Sequence, residues 1–161
     1  MSDNPPYSSP CSMADTDPAY HGFLGTDELH ELLATLLHAE RAGVRVCHRS
    51  RHAAPTRRHG ELLRDIQRDE ASSCRGLIKS LKSLGFEPDN LVGDFADQCL
   101  AIADFGDRLR FLNRGQGWVA KQLAEALPRV RQETVQRQLA RMLDDHRRNI
   151  DRVNDVIESG I

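Results

Sequence analysis

Glu40 and Glu70 each stand where an apolar side chain belongs. In the run from Leu29 to Cys47, apolar residues at 29, 33, 36, 37, 44 and 47 form the i, i+3, i+4, i+7 stripe of an amphipathic helix, and Glu40 sits inside it. From Glu61 to Leu84 the stripe is Leu63, Ile66, Cys74, Leu77 and Leu81, and Glu70 interrupts it at the corresponding place. A carboxylate on a core seam costs on the order of several kcal/mol unless it is paired, hydrogen-bonded or bound to metal. Two further seams carry the same kind of interruption. Gln116 breaks the stripe Phe105, Leu109, Leu112, Val119, Leu123, and His146 breaks the stripe Leu139, Met142, Leu143, Ile150, Val153, Ile157.

Two carboxylates beside an imidazole are a donor set for iron, manganese or zinc. The same three groups, with the carboxyl pKa values raised by burial, could instead do acid–base work on a small ligand. Gln116 and Asn149 are neutral and weak ligands, better suited to hydrogen-bonding the groups around them. Cys74 lies four residues after Glu70 on the same face, and its simpler reading is a small buried core residue. Further along the chain, the run from Cys47 to His52, with His59 beyond, could form a surface metal site, His48 and His52 sharing a helical face.

Four long helices are needed to position the polar residues. Thr26 reads as an N-cap, with Asp27 and Glu28 in the first turn, for a helix over 27–50. Ala53-Ala54-Pro55-Thr56 marks a break. A second helix follows over 57–84, with Gly85 as its left-handed stop and Pro88 beyond. Asn90 is placed to cap a short helix over 91–102. Asp104 and Asp107 open a third long helix that ends near Leu127-Pro128, and a fourth covers 131–158. Glu40 lies about ten residues before the first break and Glu70 about as far after it, while Gln116 and His146 lie about twelve and fifteen from the second; at about 1.5 Å per residue all four can reach one layer. Gly115 and Gly117 flank Gln116 inside its helix, which predicts either close helix approach or a local π-bulge. Between the second and third long helices lie about 19 residues, enough to travel the length of a long helix. The expected fold is an all-α four-helix bundle with that connection as a long crossover containing a short helix.

This layout resembles the ferritin-like superfamily, in particular the rubrerythrin-like bundles, over residues 26–158. In that family a Glu from each of two helices and a Glu-x-x-His from each of the other two hold two metal ions. Glu40 matches the lone Glu of the first helix and Glu70 the Glu of the first Glu-x-x-His, but Ser73 stands in place of its His. Gln116 replaces the third Glu, and His146-Arg147-Arg148-Asn149 stands where the second Glu-x-x-His belongs. The stretch Leu112 to Trp118 is also similar to uncharacterised bacterial ferritin-like proteins. The resemblance implies a metal-dependent oxidoreductase chemistry, but with four of the six ligand positions altered it supports one tightly held ion at most.

Composition bounds the partners. A formal net charge of −2 points to neither nucleic acid nor an anionic membrane surface. No apolar run approaches the roughly 20 residues needed to span a bilayer. Residues 1–24, with Asn4-Pro5-Pro6, Ser8-Ser9-Pro10 and Asp17-Pro18, read as a disordered segment without the pattern of a secretory signal, leaving 25–161 as the bundle. Cys11, Cys47, Cys74 and Cys99 lack disulfide or zinc spacing, which suits a reducing cytoplasm. A homodimer is compatible with the sequence. Three functions fit these residues: a metal-binding ferritin-like protein, a metal-free bundle with a binding or structural role, and a small-ligand pocket using Glu40, Glu70 and His146.

Overall fold

The computed structural model describes residues 21–160, and within them every regular element is helical. Residues 1–20, most of the segment expected to be disordered, lie outside the described residues. Helix α1 spans Thr26–Ser50, α2 Arg57–Ser83, α3 Phe95–Leu100, α4 Phe105–Ala126 and α5 Glu133–Glu158. Short 3-10 turns at Arg51–Ala53 and Leu127–Arg129 follow α1 and α4.

Local chemistry sets these ends. The cap of α1 is Gly25 rather than Thr26: the Glu28 carboxylate accepts from the Gly25 N–H at 2.9 Å, and Gly25 is extended. Thr56 caps α2, its hydroxyl accepting from the His59 N–H at 3.4 Å. Gly85, at φ +85°, lets the chain turn off the end of α2. Asp104 caps α4 by accepting from the Asp107 N–H at 2.8 Å. The short helix is confined to six residues and starts after Asp94, not Asn90. Leu24 belongs to the bundle: its N–H donates to the Arg129 carbonyl at 2.8 Å, and its side chain packs on the core.

The connection from α2 to α4 runs the length of α1. Phe86 stacks on His30, with ring centroids 4.0 Å apart, near the start of α1. The Gly93 N–H donates to the His38 carbonyl at 3.1 Å at its middle, and Arg108 donates to the Ser50 hydroxyl at 3.5 Å at its end. Helix α4 therefore returns antiparallel to α1, and α5 runs parallel to it. Helix α1 lies beside α2 and α4, and α5 beside the same two. The diagonals of the bundle are α1–α5 and α2–α4.

The core is in two apolar halves. One contains Leu33, Leu37, Leu77, Leu123, Leu139 and Met142. The other contains Val46, Leu63, Ile66, Leu109, Leu112 and Val153. On every long helix the interrupting polar residue falls between the two. The buried face of α5 differs from the expected stripe beyond His146: it follows Asn149, Val153 and Val156, while Ile150 and Ile157 are half-buried at its flanks. That keeps the alternating three- and four-residue spacing from His146 onwards.

Candidate functional site

Glu40, Glu70, Gln116 and His146 are all at most 3% exposed, one from each long helix. They form two hydrogen-bonded pairs. Glu40 Oε1 lies 2.8 Å from His146 Nε2, joining α1 to α5. The Gln116 side-chain amide donates to Glu70 Oε1, joining α4 to α2. Both pairs therefore bridge diagonally opposite helices, and the layer between the half-cores is a crossed polar tie. A buried network of this kind specifies alignment strongly when its members are partnered.

The Glu70 carboxyl lies against α1 at Gly43, where an added Cβ would run into its oxygens. One further turn along, the Cys47 thiol is 3.9 Å from Glu70 Oε2, a weak S–H donor to it. Burial holds the Glu70 pKa well above the ordinary carboxylate range. The neighbouring Glu40 carboxylate pushes it the same way, against the opposing hydrogen bond from Gln116. Its surroundings thus favour the neutral carboxylic acid form of Glu70, and in that form the group can donate a hydrogen bond. Burial also raises the Cys47 thiol, with Glu70 adding to it. Cys74 is pushed up to about 12 by burial and then by Glu40 and Glu70, which keeps it a protonated thiol.

A cavity of about 520 Å³ opens between α1, the Gly93–Phe95 stretch and α4, and ends on this layer. All four polar residues line it, beneath walls that include Phe95, Phe111, Trp118 and Val119. Phe95 and Phe111 stack with centroids 5.0 Å apart. Gly115 makes room for the Phe95 ring, since a Cβ there would come within 2.6 Å of its Cζ. A Cβ at Gly117 would meet nothing within 4 Å, and α4 continues as regular α-helix through both glycines, with no π-bulge. Three buried polar atoms of the layer have no hydrogen-bond partner: Glu40 Oε2, Gln116 Oε1 and His146 Nδ1.

The remaining candidates lie elsewhere. Asn149 donates to Asp69 Oδ2 at 3.3 Å, and Cys74 packs against the leucine-rich half-core; neither lines the cavity. His48 and His52 meet edge to face, centroids 5.8 Å apart, but Cys47 is fully buried on the other side of its helix. Among the described residues no three His, Cys, Asp or Glu side chains are gathered so as to hold a metal ion. Two carboxylates and one imidazole in two separate pairs do not make the two-ion ligand set that the family resemblance implies. Gly43 is a site residue that the sequence pattern does not single out, and Cys47 meets Glu70 rather than the histidines beyond it. The signal for both is spacing: three and seven residues after Glu40, they share its face of α1.

Among the described residues, the chain is a helical bundle with a cavity lined by a buried polar layer. The chain belongs to a family described as a domain of unknown function (DUF6306), whose model matches residues 27–155. No curated protein and no solved structure matches it. No helix among the described residues is long and apolar enough to cross a membrane.

Proposed function

We propose that this protein is a small-ligand binder of ferritin-like build, with the crossed polar layer as the floor of its binding site. The observation that carries the reading is the cavity ending on four buried polar side chains. Its volume falls within the roughly 300–1,000 Å³ of small-molecule sites, and mostly apolar walls with a few convergent polar groups are their usual composition. The ferritin-like build is supported by the single long crossover along α1 and by one inward polar residue on each long helix. The floor offers the Glu70 carboxyl, whose burial favours its neutral form, and the hydrogen-bonded Glu40–His146 pair, groups that can hold or exchange a proton with a bound molecule. A reducing cytoplasm suits Cys47, Cys74 and Cys99, which are free thiols.

The test is a fragment screen by ligand-observed NMR, repeated with Ala39→Phe. Ala39 lines the cavity, and a phenyl ring introduced there would project bulk into it. Fragments that bind the unaltered chain and not the folded variant support the reading. A screen in which binding is absent, or indifferent to the plug, contradicts it.

A second reading is one metal ion held by Glu40, Glu70 and His146, which requires the two pairs to rearrange around the ion, since as they stand they are not gathered to hold one. It is supported by Glu40 Oε2, buried without a partner, and by Glu40 lying near enough to Glu70 for its charge to raise the Glu70 pKa. Iron, manganese and zinc suit these donors. Elemental analysis of untagged protein should give one ion per chain if this reading holds, and none if the layer is metal-free. Gln116 would then support Glu70 by its hydrogen bond.

A further inference from the structure

We infer that the pocket selects a small molecule with an apolar, preferably aromatic, body and a primary ammonium head seated on Glu40 and Gln116. This deepens the small-ligand reading above and rests on it.

The head group follows from the hydrogen-bond inventory. Gln116 uses its side-chain NH2 on Glu70, which leaves its Oε1 without a partner. Glu40 uses Oε1 on His146, which leaves Oε2. Both leftover oxygens belong to cavity-lining side chains that are 3% exposed or less. Both are acceptors, so a ligand that satisfies them must bring hydrogens. A carboxylate or phosphate head brings only further acceptors and would face the Glu40 carboxylate. A hydroxyl brings one hydrogen for two oxygens. An ammonium brings three, together with a charge that complements Glu40.

The body follows from the walls. Phe95 and Phe111 are stacked, and buried Val119 and exposed Trp118 add to the apolar lining. Aromatic faces attract cations as well as apolar groups, and the chain already uses one in this way: the Arg114 guanidinium sits 5.0 Å from the Phe111 centroid at the rim. Asp94 and Arg114 both line the mouth, so no single sign of charge dominates the approach.

The experiment is isothermal titration of the full chain with three probes of nearly equal shape: 2-phenylethylammonium, 2-phenylethanol and phenylacetate. The ammonium should bind at least about tenfold more tightly than the alcohol, equivalent to about 1.4 kcal/mol, and phenylacetate should be the weakest. In Glu40→Gln the ammonium-to-alcohol ratio should fall towards one, with folding checked by melting. Trp118→Ala, at a side chain 45% exposed and so safe for folding, should weaken ammonium and alcohol alike. Should the alcohol or phenylacetate match or exceed the ammonium, the assigned head group is wrong while the pocket reading stands. Should the ammonium fail to bind while screened fragments bind in a plug-sensitive way, the inference alone falls. Should no probe and no fragment bind in a plug-sensitive way, both fall.

Discussion

Gly43 and Glu70 compete for one space, and that sets the first prediction. Alanine is ordinarily about 1 kcal/mol better than glycine inside a helix. At 43 the new Cβ would displace the Glu70 carboxyl from Gln116 and leave buried polar groups unpartnered. Gly43→Ala should therefore destabilise by about 1–3 kcal/mol in denaturant titration. Gly117→Ala, where nothing stands within 4 Å, should instead stabilise by up to about 1 kcal/mol. A second prediction concerns pH. The folded chain keeps the Glu70 proton where the unfolded chain has released it, because burial and Glu40 raise its pKa. The folded state then binds more protons, so stability falls as pH rises from the ordinary carboxylate range to the folded value, by at most about 1.4 kcal/mol per pH unit. Glu70→Gln should remove that slope, gaining on the unaltered chain as pH rises; parallel stability–pH curves would contradict it. The four layer residues are legible in the sequence because each replaces an apolar residue on a clear stripe. Their pairing is not, since which carboxylate meets the imidazole depends on which helices lie diagonally opposite. Cys47 is hidden by its type, for a cysteine on an apolar stripe reads as core.

At the scale of elements, the caps anchor the site's supports. Helix α4 carries Gln116 and its start is fixed by Asp104. Asp104→Ala should lower stability by about 1 kcal/mol, measured as a shift in the denaturation midpoint, while Asp104→Asn or Asp104→Ser should lose much less. The long helices are readable to within a residue or two because periodicity, Pro55 and Gly85 punctuate them plainly. The short helix is half the length its sequence suggests, for a reason that local sequence does not contain. Residues ahead of α3 are tied to a distant element: Arg41 donates to the Leu91 carbonyl at 3.0 Å, and the Gly93 N–H donates to the His38 carbonyl at 3.1 Å. Asp89 takes the Leu91 N–H at 2.9 Å and pairs with His38 at 2.8 Å. With its backbone groups engaged by α1 and by Asp89, the segment stays out of helix up to Asp94.

Across the whole molecule, a polar tie divides an otherwise continuous leucine-rich core, and a cavity leads to it. The crossover is readable from the length of the connection. The cavity is not, because its wall depends on Phe95 packing against Gly115 on another element, a contact that local sequence does not contain. If the layer serves alignment alone, replacing all four residues together by apolar ones of similar volume should be neutral or stabilising, and nothing small need reach them. If it floors a binding site, a ligand must touch it. The most direct measurement is the NMR signal of the Gln116 side-chain amide during titration with 2-phenylethylammonium, 2-phenylethanol and phenylacetate in turn. A saturable shift of that amide is expected with at least one probe, largest for the ammonium and absent in Ala39→Phe. A Gln116 amide that no probe moves, or that moves equally in the plugged variant, would contradict it.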